Sequence, residues 1–388
     1  MKFNPALVAL TLGSFTIGLT EFSPMGLLPV IANDLGISIP TAGMVVTAYA
    51  FGVTIFAPAV TLAAGRMARN RLLVLLALLL TAGNLLAVLS PSYEVLLVAR
   101  VLTALCQGTF FGVGALVAAS LVPPNRQAGA VAAVFMGLTV ANVAGVPAMT
   151  YLGEYSGWRV PFMVITALGL VSALALTRAL PHIPTKGGVD AKAEIGVMLR
   201  RPVLAALGMT VMTSTGQFTV FTYVAPMLQN TTGVSAQMIT LALVIVGLGM
   251  TVGNSLGGRA ADKSLQVTLV VTLVSLIVLL IALKLVLTQL IPTLLLLFIW
   301  GGLCFALVPT MQMRVMRAAQ NAPTLASSVN IGAFNLGNGL GAVVGGAVLN
   351  AGFDYPEIPL VSAAVFAIPL VFLLAQGAGA RTQAHRYG

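Results

Sequence analysis

Charge is what this sequence has least of. Only 7% of its 388 residues are Asp, Glu, Lys or Arg, against about a quarter in an ordinary soluble domain. A chain so poor in charge cannot clothe itself in a water-compatible surface, which excludes a soluble globular protein and makes lipid its solvent. Cysteine and histidine are scarcer still, two of each. Cys106 and Cys304 both fall inside apolar runs, which speaks against a disulfide framework and against thiol chemistry. His182 and His385 fall outside those runs, so no intramembrane metal site is expected, and no cofactor. No acid dyad, histidine cluster or Ser/Lys arrangement is legible, so the chain is not read as an enzyme. The net charge of +10 could suggest nucleic acid, but the basic residues recur singly or in small groups between apolar runs and are not interleaved with aromatics, so no nucleic-acid partner is expected.

What the sequence does have is apolar length. Hydrophobic residues make up 59% of it, with 40 Gly and 20 Pro, both commoner in membrane helices than in soluble ones. At roughly 20 residues per crossing, spans read at 5–31, 41–64, 72–90, 93–120, 129–152, 160–180, 203–228, 237–258, 266–288, 292–313, 323–350 and 357–377. The fold expected is an all-α polytopic membrane protein of twelve transmembrane helices. The first apolar run is as long as a full span and is read as an uncleaved helix, not a signal peptide. With the N-terminus in the cytoplasm, every basic residue except Arg100, Arg159 and Lys284 falls on the cytoplasmic side, as the positive-inside rule requires. The chain is therefore expected to be a multi-pass membrane protein with both termini cytoplasmic, which in a bacterium means the inner membrane.

A polar stretch with Lys186, Asp190, Lys192, Glu194, Arg200 and Arg201 divides the chain into an N-terminal six-helix bundle (1–180), a cytoplasmic linker (181–202) and a C-terminal six-helix bundle (203–388). The halves repeat at an offset near 197. Pro29 precedes Gly36-Ile37-Ser38 as Pro226 precedes Gly233-Val234-Ser235; Asn142 and Gly145 match Asn338 and Gly341; Gly65-Arg66 matches Gly258-Arg259. Repeats related by an axis along the membrane normal are typical of one transporter architecture, with the substrate site between the halves at mid-membrane.

Four stretches resemble the major facilitator superfamily, specifically its bacterial drug:proton antiporter branch of arabinose-efflux-permease-like proteins. They are Thr20–Pro29 in span 1, Arg100–Gly108 in span 4, Gly137–Pro147 in span 5 with Gly157-Trp158-Arg159 beyond it, and Gly257-Gly258-Arg259-Ala260-Ala261-Asp262-Lys263 after span 8. The resemblance implies a role for Arg100 in proton coupling, an antiporter motif at Gly137, Gly145 and Pro147, and a cytoplasmic loop motif at Gly258, Arg259 and Asp262. The loop after span 2, from Gly65 to Arg71, departs from the family by lacking its Asp. A monomer is the family expectation.

Two charges lie well inside spans, Glu21 and Arg100. A charge at mid-helix costs about 2.5–3.5 kcal/mol on insertion scales, so each needs a partner, water or a neutralising proton. Glu21 lies ~15 Å and Arg100 ~12 Å from the outer ends of their spans at the α-helical rise, so the two can sit at one level. Burial opposes the charged form of a carboxyl and a nearby guanidinium favours it, which suits Glu21 as a proton carrier. The competing reading is a static ion pair between spans 1 and 4; the repeat-equivalent positions near Phe218 and Leu297 carry no charge, which counts against it. Asp34 reads as a solvated charge at the outer rim. Cavity candidates are Phe22, Tyr49, Gln107, Phe111, Asn142, Gln217, Phe221, Asn335 and Asn338, while Asn84 and Asn254 read as interhelical glue. Spans 5 and 11 are expected to meet partners across the two halves, with their glycines allowing close backbone approach. The function expected is proton-coupled export of a small neutral or weakly charged compound, drug or sugar-like; the alternative is an uptake symporter or facilitator for a sugar or nucleoside.

Overall fold

A computed structural model describes residues 4–63, 67–123, 127–183, 196–320 and 323–387. Among these there is no strand, and twelve helices are long and apolar enough to cross a membrane. In the first half they are α1 (Pro5–Leu35), α2 (Ile39–Ala63), α3 (Arg69–Val88), α4 (Tyr93–Ser120), α5 and α6 (Arg159–Ala179), where α5 comprises Gln127–Val140, a π-helical turn Ala141–Gly145, and Val146–Ser156. In the second they are α7 (Arg201–Phe221), α8 (Ala236–Lys263), α9 (Leu265–Val286), α10 (Leu290–Ala318), α11 (Pro323–Asn350) and α12 (Glu357–Tyr387). Gly65, Arg66, Arg126 and the linker core 184–195, with Lys186, Asp190, Lys192 and Glu194, lie outside the described residues.

The two pseudo-repeats share their neighbours. α2 packs on α4 as α8 packs on α10, α1 on α5 as α7 on α11, and α3 on α6 as α9 on α12. The repeated Gly36 and Gly233 perform the same task. Each closes a helical segment in the left-handed region, at φ 62 and φ 68, a conformation that costs an L-residue about 1–2 kcal/mol. Gly36→Ala should therefore lower thermal stability in detergent by about that amount, and Gly233→Ala likewise; a midpoint unchanged in both would show that these turns can relax.

The outward faces of the peripheral helices, such as Leu75, Leu78 and Leu85 of α3 and Val271, Val274 and Val278 of α9, are exposed and apolar. In water such surfaces would drive association; here they meet acyl chains. The two cations that the orientation leaves toward the outer side, Arg159 and Lys284, both form ion pairs. Arg159 binds Asp34 at 2.6 Å, and Lys284 binds Glu357 at 2.9 Å. Asp34 is exposed at the outer rim, as its sequence position implies, and it is also paired. Its carboxylate also accepts from Trp158 Nε1 at 2.8 Å, and Arg159 Nη2 donates to the Ser90 carbonyl at 3.1 Å, so the outer end of α1 is tied to α3 and α6.

Two sequence expectations are corrected. Span 7 does not run straight through 203–228: α7 stops at Phe221, and the chain continues as a short helix Val224–Met227 and a π-helical turn Leu228–Thr232. Pro226 offers no N–H and crowds the carbonyl four residues before it, which breaks the ladder at Thr222. Tyr223 fills the break, donating its hydroxyl to the Ala342 carbonyl at 2.8 Å. Second, the residues read as a loop after span 8 are helical. Gly258, Arg259 and Asp262 stand in the last turns of α8, and a single residue, Ser264, joins it to α9 and caps that helix by accepting from Val267 N. Gly257 holds this end against Ala306 of α10, so close helix packing outweighs the weak helix propensity of paired glycines. The Asp262 side chain lies outside what is described.

The halves meet along α2–α11 and α5–α8, with α1 against the Val224–Met227 segment. On the outer side Phe22 of α1 packs on Phe218 and Phe221 (ring centroids 6.3 and 6.2 Å), and Trp300 of α10 backs Phe221 at 6.0 Å. Farther out, Gln237 donates to the Tyr155 hydroxyl. The outer halves of α1 and α7 are enclosed on nearly every face, whereas Val8 and Leu204 near their inner ends are 47% and 48% exposed.

Candidate functional site

Glu21 and Arg100 are the only buried charged side chains among the described residues. They occupy one level, as their spacing implies: Arg100 Nη1 donates to the carbonyl of Thr20, the residue before Glu21, at 2.6 Å. They do not form an ion pair. Helical Cα–Cβ bonds tilt toward the helix N-terminus, and α1 and α4 run in opposite directions, so Glu21 leans toward the cytoplasm and Arg100 away from it. The guanidinium instead donates Nε to the Val45 carbonyl at 3.2 Å and lies 4.4 Å over the Tyr49 ring. Arg100 thereby binds α1, α2 and α4 together through backbone acceptors and an aromatic face, a geometry that its planar fork allows and a lysine does not.

The Glu21 carboxylate is met by two amides from different halves. Gln107 Nε2 of α4 donates to Oε2 at 2.6 Å. Asn338 Nδ2 of α11 donates to Oε1 at 3.4 Å. Asn338 is in turn held by α7, because the Ser214 hydroxyl donates to its Oδ1 and lies 2.9 Å from the Phe334 carbonyl. Sequence reasoning named Gln107 and Asn338 but not Ser214; its only signal is a run of small polar residues, Thr213-Ser214-Thr215-Gly216-Gln217, in an otherwise apolar helix. Tyr49 Oη, Arg100 Nη2 and Gln107 Oε1 are buried around this point and make no hydrogen bond among the described residues.

The other candidates distribute unevenly. All nine proposed cavity residues are 6% exposed or less, so they are enclosed in this conformation. Phe22 and Phe221 form the aromatic cluster outside Glu21. Phe111 stacks on Phe135 at 5.1 Å. Asn142 and Asn335 spend their amide N–H on carbonyls of their own helices, Leu138 and Ile331, at 3.0 Å each. Gln217 is buried in α7. Asn84 ties α3 to α1 through Thr20 Oγ1 at 3.2 Å, the glue role expected of it. Asn254 does not: it is exposed on α8.

Spans 5 and 11 meet partners across the halves as expected, on α8 and α2, but the span 5 glycines face their own half. Gly137 lies against the Thr11 carbonyl and Phe15 N of α1, and Gly145 against Leu19 and Phe15, all within their own half. What crosses between halves is the α5 backbone at Asn142 and Val143, received by Gly247 of α8. This is the π-helical turn. Pro147 leaves the carbonyl at Val143 without its helical donor, and a π turn is a common way to absorb such a gap. On the outer side a cavity of about 720 Å³ opens between the halves, lined by Asn33, Ser38 and Glu154 from one and Gln229, Asn230 and Tyr355 from the other.

The sequence model of the family described as Major Facilitator Superfamily matches residues 10–346. The chain is 47% identical over 382 residues to the inner membrane transport protein YdhP of Escherichia coli strain K12, covering 97% of each chain. It is 33% identical over 347 residues, 88% of each, to the chloramphenicol resistance protein of Streptomyces lividans. In architecture it is similar to a bacterial homologue of the human lysosomal transporter Spinster in an inward-facing and unoccupied conformation, with a TM-score of 0.73 at 17% identity, over 97% of this chain and 96% of that one.

Proposed function

Since this chain belongs to the major facilitator superfamily, and so is an inner-membrane transporter, we propose that it is a proton-coupled exporter that exchanges a small neutral or weakly charged compound, drug-like or sugar-like, for protons. The observation that carries this reading is the Glu21 carboxylate, buried where the halves meet and bonded by amides from both. A lone carboxyl there can be neutralised by a proton or engaged by a substrate, and each event changes the same cross-half contact. The surroundings suit a substrate of low charge. Apart from Arg100, which is occupied with α1 and α2, the facing groups are amides, hydroxyls and aromatic rings, and the unpaired Tyr49 and Gln107 atoms are ready for a substrate's polar groups. The name of the chloramphenicol resistance protein favours export over uptake. In this reading the bundles 1–180 and 203–388 rock about the site as a monomer, with 181–202 as a tether.

Purified protein in vesicles with an imposed pH gradient tests this. A panel of sugars, nucleosides, chloramphenicol and lipophilic cations should contain at least one compound whose addition drives protons in the opposite direction to its own movement. Protons moving with the compound would replace antiport by symport. Transport with no proton movement would end the coupling reading.

A further inference from the structure

An exchanger has to satisfy a condition that a simple carrier does not. It changes access when loaded with either partner and stays put when empty, since an empty return would turn it into a proton leak. The protein therefore needs a contact that exists only in the empty, charged state and that joins moving parts. Gln107 is not that contact. Its bond to Glu21 lies wholly within the first half and survives any rigid motion between halves. The bond from Asn338 crosses the seam, over 317 positions of sequence.

We propose that Asn338 is the positioning residue that prevents turnover of the empty transporter, its amide binding the charged form of Glu21 and tying α11 to α1 until a proton or a substrate takes its place. This rests on the antiport reading above. The Ser214 hydroxyl donates to Asn338 Oδ1, which fixes the amide with its N–H₂ toward Glu21. Gln107 likewise presents N–H₂. A carboxylate, which only accepts, matches two donors, whereas a carboxylic acid carries an O–H on one oxygen and accepts there much more weakly than the charged form does. Protonation therefore weakens one arm. The Asn338 arm is the longer, 3.4 Å against 2.6 Å, and is the one that yields. Among the described residues, Arg100 from α4 and Tyr49 from α2 are the titratable groups that interact with Glu21, and the group that the second half presents to it is the neutral Asn338 amide, held by Ser214. A substrate that bonds to Glu21 displaces Asn338 in the same way, so proton and substrate release one latch.

The test is proton entry into vesicles holding a pH-sensitive dye, under a pH gradient, with the potential clamped and no substrate present. Wild type should be tight. Asn338→Ala should leak protons roughly tenfold faster or more, the loss expected for a hydrogen bond to a charged group. Ser214→Ala, which frees the amide to flip, should leak to a lesser degree and carries the same sign if Asn338→Ala does not reconstitute. Adding Glu21→Gln to Asn338→Ala should restore tightness, which damage to packing alone would not do. The inference is overturned if both single variants are as tight as wild type, or if the leak persists without the Glu21 carboxyl. Substrate-driven proton movement by wild type in the same vesicles separates the two levels: if it is present and the variants are tight, only the latch fails; if it is absent, antiport fails and the latch with it.

Discussion

Glu21→Gln should yield a folded protein whose transport no longer responds to a pH gradient. The substitution is nearly isosteric and removes a buried charge, whose place in the bilayer is the costly feature of this helix. The new carboxamide can still accept from Gln107, while its N–H₂ faces the Asn338 amide, donor against donor, so the cross-half bond is lost without a large change in volume. With no titratable group at the site, the ratio of transport rates with and without an imposed gradient should fall to one, and the dependence on internal pH should flatten. A variant that keeps the wild-type ratio would show that the coupling proton is carried elsewhere.

Gly253→Ala should have the largest effect on folding. α8 and α10 approach through Gly249, Gly253 and Gly257, spaced by one helical turn, facing Phe298, Gly302 and Ala306. A methyl at Gly253 would land on the carbonyl group of Gly302, and backbone is all that lies there to be moved. Overpacking with a yielding side chain costs about 1–3 kcal/mol; here the two helices must separate along a seam whose attraction in lipid is mostly close packing. The folded, monodisperse yield in detergent should drop severely. Gly258→Ala is the control, since no atom stands within 4 Å of a methyl there and alanine favours the helix. Equal yields and midpoints for the two variants would remove packing as the role of Gly253.

The spans were legible because each is a long apolar run, and their orientation because Arg and Lys mark the cytoplasmic ends. The repeat was legible too, down to the glycines that close equivalent helices at Gly36 and Gly233. Where reading failed, the deciding contact came from elsewhere in the chain. Asp34 is an exposed rim charge as read, but that it pairs with Trp158 and Arg159 depends on where α6 begins. The end of α8 looks like a loop because Gly257-Gly258 breaks helices in water, whereas α10 supports it here. Depth along a helix put Glu21 and Arg100 at one level, but the direction in which each leans depends on α1 and α4 being antiparallel neighbours. Asn338 reads from sequence only as a buried polar residue and cavity candidate; that it reaches Glu21, and that Ser214 bonds it, depends on how α11 is placed against α1 and α7.

The solitude of Glu21 also sets an energetic ceiling. As the only buried acidic side chain among the described residues, it provides one site for one proton per cycle under the proposed exchange. Moving one elementary charge across the membrane yields about 2.3 kcal/mol per 100 mV. A neutral compound exchanged for a single proton would draw on both the voltage and the pH difference, whereas a monovalent cation exchanged for that proton would be electrically silent and driven by pH alone, limited to about tenfold accumulation per pH unit. The same carboxyl would thus export uncharged molecules against much steeper gradients than cations, a preference set by membrane electrostatics and not by the shape of the site.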